Sequence, residues 1–338
     1  MRIGMIAPPW LPVPPPAYGG TETVIHGLVR GLVATGHEVV LFAHAASTTP
    51  AELRVMLPES EIGLIGQGPT ELAHVIAAYD RLDGVDVVHD HTMAGPLLGP
   101  PRARVPIVAT HHGIFDAPAR RIFSAAARDV DVVAISHCQA STAEGVPLAG
   151  VVHHGVDVAD VPLGAGDGGY LAFLGRMVPE KGAHRAIRIA RRAGWPLRIA
   201  AKMREPAEQA FFEAEVRPLL GGGIEYVGEL GSREKQDLLC GAVALLNPID
   251  WPEPFGMVML ESLACGTPVV TRAVGAAPEI VEDGEVGFLG RTDEDLTAAL
   301  THVDQLDRLW CRTWAAQRFS LELMAKAYEE RYLRAIEG

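Results

Sequence analysis

The chain has 338 residues, 48% of them hydrophobic, which is enough for about two domains with a core each and excludes a disordered protein. A net charge of −13 argues against nucleic acid or a general anionic membrane surface as a partner. Four widely spaced cysteines (Cys138, Cys240, Cys265 and Cys311), with no C-x-x-C, read as reduced core thiols of a cytoplasmic protein, and no apolar run nears the roughly 18 residues of a membrane helix.

Arg2 to Ala7 is predicted as a first strand, and the apolar residues before Pro8 are too few for a signal peptide. The loop P-P-W-L-P-V-P-P-P-A-Y-G-G follows, held extended by six prolines and closed by Gly19 and Gly20. A helix with Val24, Leu28, Leu32 and Val33 at helical spacing runs to Gly36, and Val39 to Ala43 is a second strand. This opening is Rossmann-like but lacks G-x-G-x-x-G, so a dinucleotide fits poorly. The Gly19-Gly20 pair lets backbone approach a ligand closely, although a plain turn accounts for it equally. Residues 50–66 carry no readable pattern, and Thr70 to Leu82 is a helix candidate.

Four strands are predicted next, at Asp86–His91, Pro106–His112, Val130–Ser136 and Val151–His154, and six of the 13 histidines fall at their carboxyl ends. In an open α/β sheet those ends bind ligands. Three readings compete: a metal site using His89, His91 and a third ligand, neutral imidazoles that hydrogen-bond a sugar, or merely polar strand ends. The sugar reading is preferred, and the individual roles of His89, His91, His111, His153 and His154 stay open. Asp129-Val-Asp131 matches D-x-D but stands at a strand's start, so it reads as a solvated strand entry. The Gly- and Asp-rich run from Asp157 to Gly169 reads as an interdomain linker.

A second Rossmann-like half begins at Tyr170, with strands at Leu171–Leu174, Leu197–Ala201 and Glu225–Leu230 and helices at Ala183–Ala193 and Glu205–Leu220. Arg176 and Lys181 lie in the loop after its first strand, where an Arg and a Lys five apart are ordinarily a solvated face. Ala242 to Asn247 reads as a buried strand, and Pro248, Pro252 and Pro254 forbid regular structure after it. A helix from Phe255 carries Met257, Val258, Leu260, Leu263 and Ala264, ends at Gly266, and gives way to a strand at Val269. The amides of Gly256, Met257 and Val258 then form a helix N-terminus suited to phosphate. Glu253 and Glu261 beside it cannot bind phosphate as well and suit hydroxyls, so the pair implies a nucleotide sugar. The plain alternative is an acidic cap and a surface glutamate. Ala276–Ile280, Gly287–Leu289, helices near 293–302 and 305–316, and an amphipathic helix from Ser320 to Ile336 complete the chain.

E-P-F-G-x-x-x-x-E (Glu253 to Glu261) followed by A-C-G-T-P-V-V resembles the signature of family 4, retaining GT-B glycosyltransferases that include bacterial glycogen synthases and phosphatidylinositol mannosyltransferases. The resemblance covers nearly the whole chain. It implies two Rossmann-like α/β domains facing each other across a cleft: an acceptor domain at 1–160, a nucleotide-sugar domain at 161–319, and a helix at 320–338 crossing back to the first. It implies that Glu253 contacts the transferred sugar and Glu261 the ribose. Phe255, Gly256, Met257 and Val258 belong to the same donor set. T-H-H-G resembles the family's T-x-H, which makes His112 the residue at the reacting sugar, so the catalytic pair is His112 and Glu253. G-R-x-x-P-x-K-G assigns the diphosphate to Arg176 and Lys181, the glycine loop adds Gly19 and Gly20, and the turn at Val227 meets the base.

The implied reaction transfers a hexose, glucose from UDP-glucose, to a small-molecule or glycan acceptor with retention, without cofactor or metal. The opening P-P-W-x-P-x-P-P-x-x-Y-G-G-T-E is similar to short cytosolic members described as small-molecule, including pterin, glucosyltransferases. A UDP-sugar 2-epimerase of the same fold and a non-enzymatic nucleotide-sugar binding protein are the alternatives. Incubating UDP-sugars without acceptor separates the epimerase.

Overall fold

The computed structural model describes residues 1–59 and 66–338. The chain divides into two compact units, Met1–Gly155 with Leu321–Gly338, and Val156–Ser320. Part of the patternless stretch, residues 60–65, lies outside the described residues.

The first unit runs β1 (Arg2–Ile6), α1 (Gly20–Ala34), β2 (Glu38–Phe42), β3 (Glu52–Arg54), α2 (Gly68–Tyr79), β4 (Val87–Asp90), α3 (Gly95–Leu98), β5 (Ile107–Thr110), α4 (Ala117–Ala126), β6 (Asp131–Ala134), α5 (His137–Ser141) and β7 (Gly150–Val151). Its sheet has the order β3-β2-β1-β4-β5-β6-β7, and every described pairing is parallel. The register places Ile3 between Val39 and Val87. Strands of this kind are covered on both faces, so their β-branched runs need no polar alternation. Ile6, Val40, Phe42, Val88 and Ile107 pack with Val75, Phe115 and Phe123 from the flanking segments. Asp131 opens β6, so the Asp129-Val-Asp131 motif stands at the strand's amino end, where Asp129 is exposed.

The second unit repeats the plan: β8 (Leu171–Arg176), α6 (Ala183–Ala193), β9 (Leu197–Lys202), α7 (Pro206–Phe211), β10 (Ile224–Gly228), α8 (Ser232–Gly241), β11 (Ala244–Asn247), α9 (Met257–Ala264), β12 (Val269–Arg272), α10 (Ala277–Ile280), β13 (Gly287–Gly290), α11 (Asp293–Ala299) and α12 (Arg308–Phe319). Its parallel sheet has the order β10-β9-β8-β11-β12-β13. In both sheets the order reverses beside the first strand, between β1 and β4 and between β8 and β11. Loops at such a switch point diverge and leave room for a ligand.

Two expectations are corrected. The run 205–220 is not one α-helix: α7 gives way to a π turn at Phe212–Val216 and a 3-10 turn at Arg217–Leu219. Pro218 lacks an amide donor and its ring crowds the carbonyl four residues back, so a regular helix cannot pass through it. The glycine-rich run 157–169 is not a free linker. Gly164, Gly166 and Gly168 donate to Cys265, Cys240 and Gly241 carbonyls at 2.8, 3.0 and 2.9 Å, and Arg308 and Arg312 of α12 donate to the carbonyls of Gly164 and Val161. A Cβ at Gly164 would sit 2.3 Å from the Cys240 carbonyl oxygen, so these glycines serve close backbone packing.

The last helix, α13 (Leu321–Glu337), belongs to the first unit and packs on α1. Gly27 and Gly31 let it in: a Cβ on either would lie 2.8 Å from an atom of Leu321. Tyr328 and Tyr332 drive its inner face into the sheet, fully buried. No described helix is long and apolar enough to cross a membrane.

Candidate active site

In the second unit two loops leave the sheet at the switch point, one after β8 and one after β11. They are sewn together by backbone and by one arginine. The Asp250 amide donates to the Glu180 carbonyl at 2.8 Å, while Arg185 donates to the carbonyls of Pro248 at 3.0 Å, Pro179 at 3.2 Å and Glu180 at 3.1 Å. Gly182, at φ +83°, completes the seam, because a Cβ there would lie 2.5 Å from the Pro248 carbonyl oxygen.

The seam joins Lys181 to Glu253. The lysine Nζ donates to Glu253 Oε2, which also accepts from Trp251 Nε1 at 3.0 Å. Glu253 is held from behind as well. Its carbonyl accepts from the Ala276 amide at 3.0 Å, and a Cβ on Gly275 would lie 2.4 Å from its backbone nitrogen.

Helix α9 starts at Met257, not at Phe255. Phe255 is buried, and Gly256 takes a left-handed conformation (φ 105°, ψ 63°) that a helix interior does not allow. Gly256 is therefore the N-cap. Among the described residues no side chain caps the helix, and no acid stands in its first turn. The first amides of a helix have no partner within it, and together with the dipole they favour an anion. One turn on, Glu261 Oε1 accepts from Lys235 Nζ of α8 at 2.6 Å.

Arg176, at the end of β8, is held by a different pair of acids. Its Nε donates to Glu208 Oε1 at 3.0 Å and its Nη2 reaches Glu205 at 3.4 Å, with Lys202 Nζ 2.8 Å from Glu205. Glu208 is buried, which raises its carboxyl, but the Glu205 and Arg204 amides and the Arg176 guanidinium hold it below the usual range. The structure thus brings Lys181 and Glu253 together and Glu261 to Lys235, and gives Arg176 carboxylate partners of its own. Val227 lies exposed near the end of β10, where the register to β9 breaks between Tyr226 and Gly228.

In the first unit, Gly19 caps α1 with an extended backbone, and a Cβ on it would lie 2.7 Å from Pro15. Gly20 has open space around its Cα. Glu22, in the first turn of α1, is buried, and burial pushes its carboxyl up to about 7.

The histidines cluster as their strand positions require. His89 is fully buried with both ring nitrogens engaged: Nδ1 with Tyr332 Oη at 2.7 Å and Nε2 with Thr110 Oγ1 at 2.8 Å. Those bonds leave it no lone pair for a metal. His91 Nδ1 meets His112 Nε2 at 2.9 Å, and the His112 ring stacks on His154 at 5.2 Å between centroids. Burial first, then neighbouring imidazoles, lowers all of these, and His112 is brought down to about 3. They are neutral imidazoles at any ordinary pH, able both to donate and to accept. His111 turns away, bonded to the Ile114 carbonyl at 2.9 Å and packed on Phe115 and Phe123.

Sequence reasoning missed Lys235, Trp251, Arg185 and Gly275. Lys235 stands in S-R-E-K-Q-D, a charged run that looks like a solvated face. Gly275 has no motif around it, and only the fold shows what it faces.

Residues 161–307 match the family described as Glycosyl transferases group 1, and residues 18–160 match Glycosyltransferase Family 4. The chain belongs to glycosyltransferase family 4. Relatives extend over its whole length. A glycogen synthase of Mycobacterium tuberculosis is 28% identical, covering 100% of this chain and 96% of the relative. A phosphatidyl-myo-inositol mannosyltransferase of Mycolicibacterium smegmatis is 28% identical over 91% of this chain and 86% of its own. Among solved structures, AviGT4, a glycosyltransferase involved in avilamycin A biosynthesis, matches at a TM-score of 0.76 and 28% identity over 100% of this chain and 98% of that one. This family 4 glycosyltransferase is a hexosyltransferase that uses a nucleotide sugar, and its two Rossmann-like units have the GT-B fold.

Proposed function

We propose that the enzyme transfers glucose from UDP-glucose to a small-molecule or glycan acceptor in the cytoplasm, with retention and without a metal ion. The observation that carries the reading is the Lys181–Glu253 contact at the switch point of the second sheet, beside the uncapped end of α9. A diphosphate leaving group needs cations or dipoles, and a hexose needs a carboxylate for its hydroxyls. The two loops supply both within one contact. Lys181 and the amides at Met257 and Val258 take the diphosphate, with Arg176 at the end of the strand that precedes Lys181. Glu253 reads the sugar, Glu261 the ribose, and the turn at Val227 the base. Phe255 anchors the loop between them, and Gly19 and Gly20 are assigned to the same diphosphate.

In this reading His112 hydrogen-bonds the reacting sugar as a neutral imidazole, and the proline-rich loop of the first unit shapes acceptor binding. The bond from the sugar's anomeric carbon to the diphosphate oxygen breaks as the acceptor oxygen bonds to the same face. The acceptor's proton passes to the departing diphosphate. The protein's share is positioning and electrostatics. Two charge-assisted contacts at roughly 1.5–3 kcal/mol each, plus about 0.3–2 kcal/mol from the helix end, suffice to hold a diphosphate.

The test is a panel of UDP-, GDP- and ADP-sugars scored by slow nucleotide release, then an acceptor screen with the best of them, each with and without EDTA. Turnover of UDP-glucose that EDTA leaves unchanged is expected. Transfer abolished by EDTA and revived by a divalent ion would overturn the metal-free reading.

A further inference from the structure

The geometry points to Lys235 as a positioning residue for nucleoside recognition, fixing the carboxylate that reads the ribose. The inference rests on the reading of Glu261 as that carboxylate. Helix α8 carries several charged residues, and they behave differently. Arg233 and Asp237 pair with each other in solvent at 3.5 Å, their side chains 84% and 63% exposed. Glu234 turns back to accept from the Gly231 amide at 3.0 Å. Lys235 instead crosses to α9 and donates to Glu261 Oε1 at 2.6 Å, with the two side chains only 20% and 15% exposed.

A half-buried lysine gives up much of its side-chain freedom, so the contact has to do something that a solvated pair would not. A glutamate on a helix has three rotatable bonds, and a ribose presents two adjacent hydroxyls at fixed spacing. Reading such a diol by hydrogen bonds demands a carboxylate in one rotamer. Lys235 occupies Oε1 and sets that rotamer, which leaves Oε2 and the second lone pair of Oε1 to accept from hydroxyls. The ammonium itself is turned to Glu261 and is not assigned to phosphate; Lys181 and the end of α9 hold that place. Lys235 therefore acts through Glu261 and discriminates sugars of the nucleoside without touching the reacting atoms.

The experiment is isothermal titration of the full chain with whichever of UDP, ADP and GDP binds most tightly, with the 2′-deoxy and 3′-deoxy counterparts, and with inorganic pyrophosphate. Lys235→Met should weaken the ribonucleoside diphosphate about tenfold and erase most of the preference for ribose over deoxyribose, with pyrophosphate unchanged. Lys235→Arg should keep most of that preference. Unchanged pyrophosphate binding also reports that the variant is folded, and a melting curve on the same sample checks it. If Lys235→Met weakens pyrophosphate as much as the nucleotide, Lys235 is a phosphate cation and the inference is wrong. If the ribose preference survives in Lys235→Met, the inference is equally wrong. Glu261→Gln is the separate arm: a full ribose preference there removes the reading of Glu261 itself, whatever Lys235 does.

Discussion

On the proposed reading, Lys181 and Glu253 each take a second task when the sugar donor arrives. The ammonium donates to Glu253 Oε2, so a diphosphate has to compete with that carboxylate for the same cation. On the same reading, a phosphate that takes Lys181 leaves Glu253 with its bond from Trp251 and free capacity for the sugar. Glu253→Gln should therefore lower turnover roughly ten- to a hundredfold, the loss expected of a charged hydrogen bond. It should leave free diphosphate binding equal or tighter, because Lys181 loses a competitor. Weaker diphosphate binding in that variant, measured by titration, rejects the competition. Lys181→Ala should weaken both the sugar donor and the free diphosphate, and added Mg²⁺ should not restore them. His112 gives a complementary case. Its Nε2 is held by His91, so on the proposed reading its other nitrogen meets the sugar. His112→Ala should cut transfer while diphosphate affinity stays within about twofold, since a neutral hydrogen bond is lost and no phosphate contact is. A uniform loss accompanied by a lower melting temperature would make His112 a packing residue only.

At the scale of elements, what could be read from the sequence depended on how local each signal was. Helix α6 lies between Gly182 and Gly194, both left-handed, and its limits Ala183–Ala193 were plain. The two glutamates of α9 and its loop were legible because they lie in one short motif. Helix α8 was not, because its buried apolar residues are the adjacent Leu238 and Leu239, which show no period. Lys235 lies 26 residues before Glu261, and only the β10-β9-β8-β11 order of the sheet brings α8 beside α9. The run 157–169 looked like a linker because its partners, Cys240, Cys265, Arg308 and Arg312, are remote in sequence. Gly275 is the sharpest of these cases. A Cβ there meets the Glu253 backbone nitrogen at 2.4 Å and its carbonyl oxygen at 2.6 Å, and φ is +61°. Backbone cannot swing aside as a side chain does. Gly275→Ala should displace the Glu253 loop and cost about 1–3 kcal/mol in crowding as well as turnover. Gly284→Ala is the control, with φ +78° and nothing within 4 Å. It should lower stability by a similar backbone strain and leave turnover alone. Equal turnover in the two variants would show that the Glu253 loop tolerates the shift.

For the whole molecule the consequence is a dependence of stability on acid that the two units do not share. Among the described residues of the first unit, His26, His74, His89, His91, His111, His112 and His154 all have lowered proton affinity, with burial the largest cause each time. In the second unit only His184 among the described histidines does. A histidine whose folded pKa lies below its unfolded value of 6.5 contributes stability above 6.5 and loses it as the pH falls toward the folded value. Below 6.5 the unfolded chain takes up protons that the folded unit refuses. Two acids oppose this. Glu22 is raised from 4.5 to about 7 and Asp90 from 3.8 to about 6, both mainly by burial, so the folded unit takes up their protons first and gains stability as the pH falls. Between pH 6.5 and 5 the five held lowest, His74, His89, His91, His112 and His154, already outnumber the two carboxyls, so acid wins. Each uncompensated proton is worth at most about 1.4 kcal/mol per pH unit. Calorimetry from pH 7 to 5 should show the first unit's melting temperature falling steeply while the second unit's changes little, so that one transition separates into two. His74→Gln tests the cause away from the site, because His74 is bonded to the Ala7 carbonyl at 3.0 Å and is held down at about 4. That variant should flatten the first unit's slope by up to one proton. A first-unit melting temperature that holds level or rises as the pH falls from 6.5 to 5 would mean that the buried carboxyls, and not the histidines, set the molecule's response to acid.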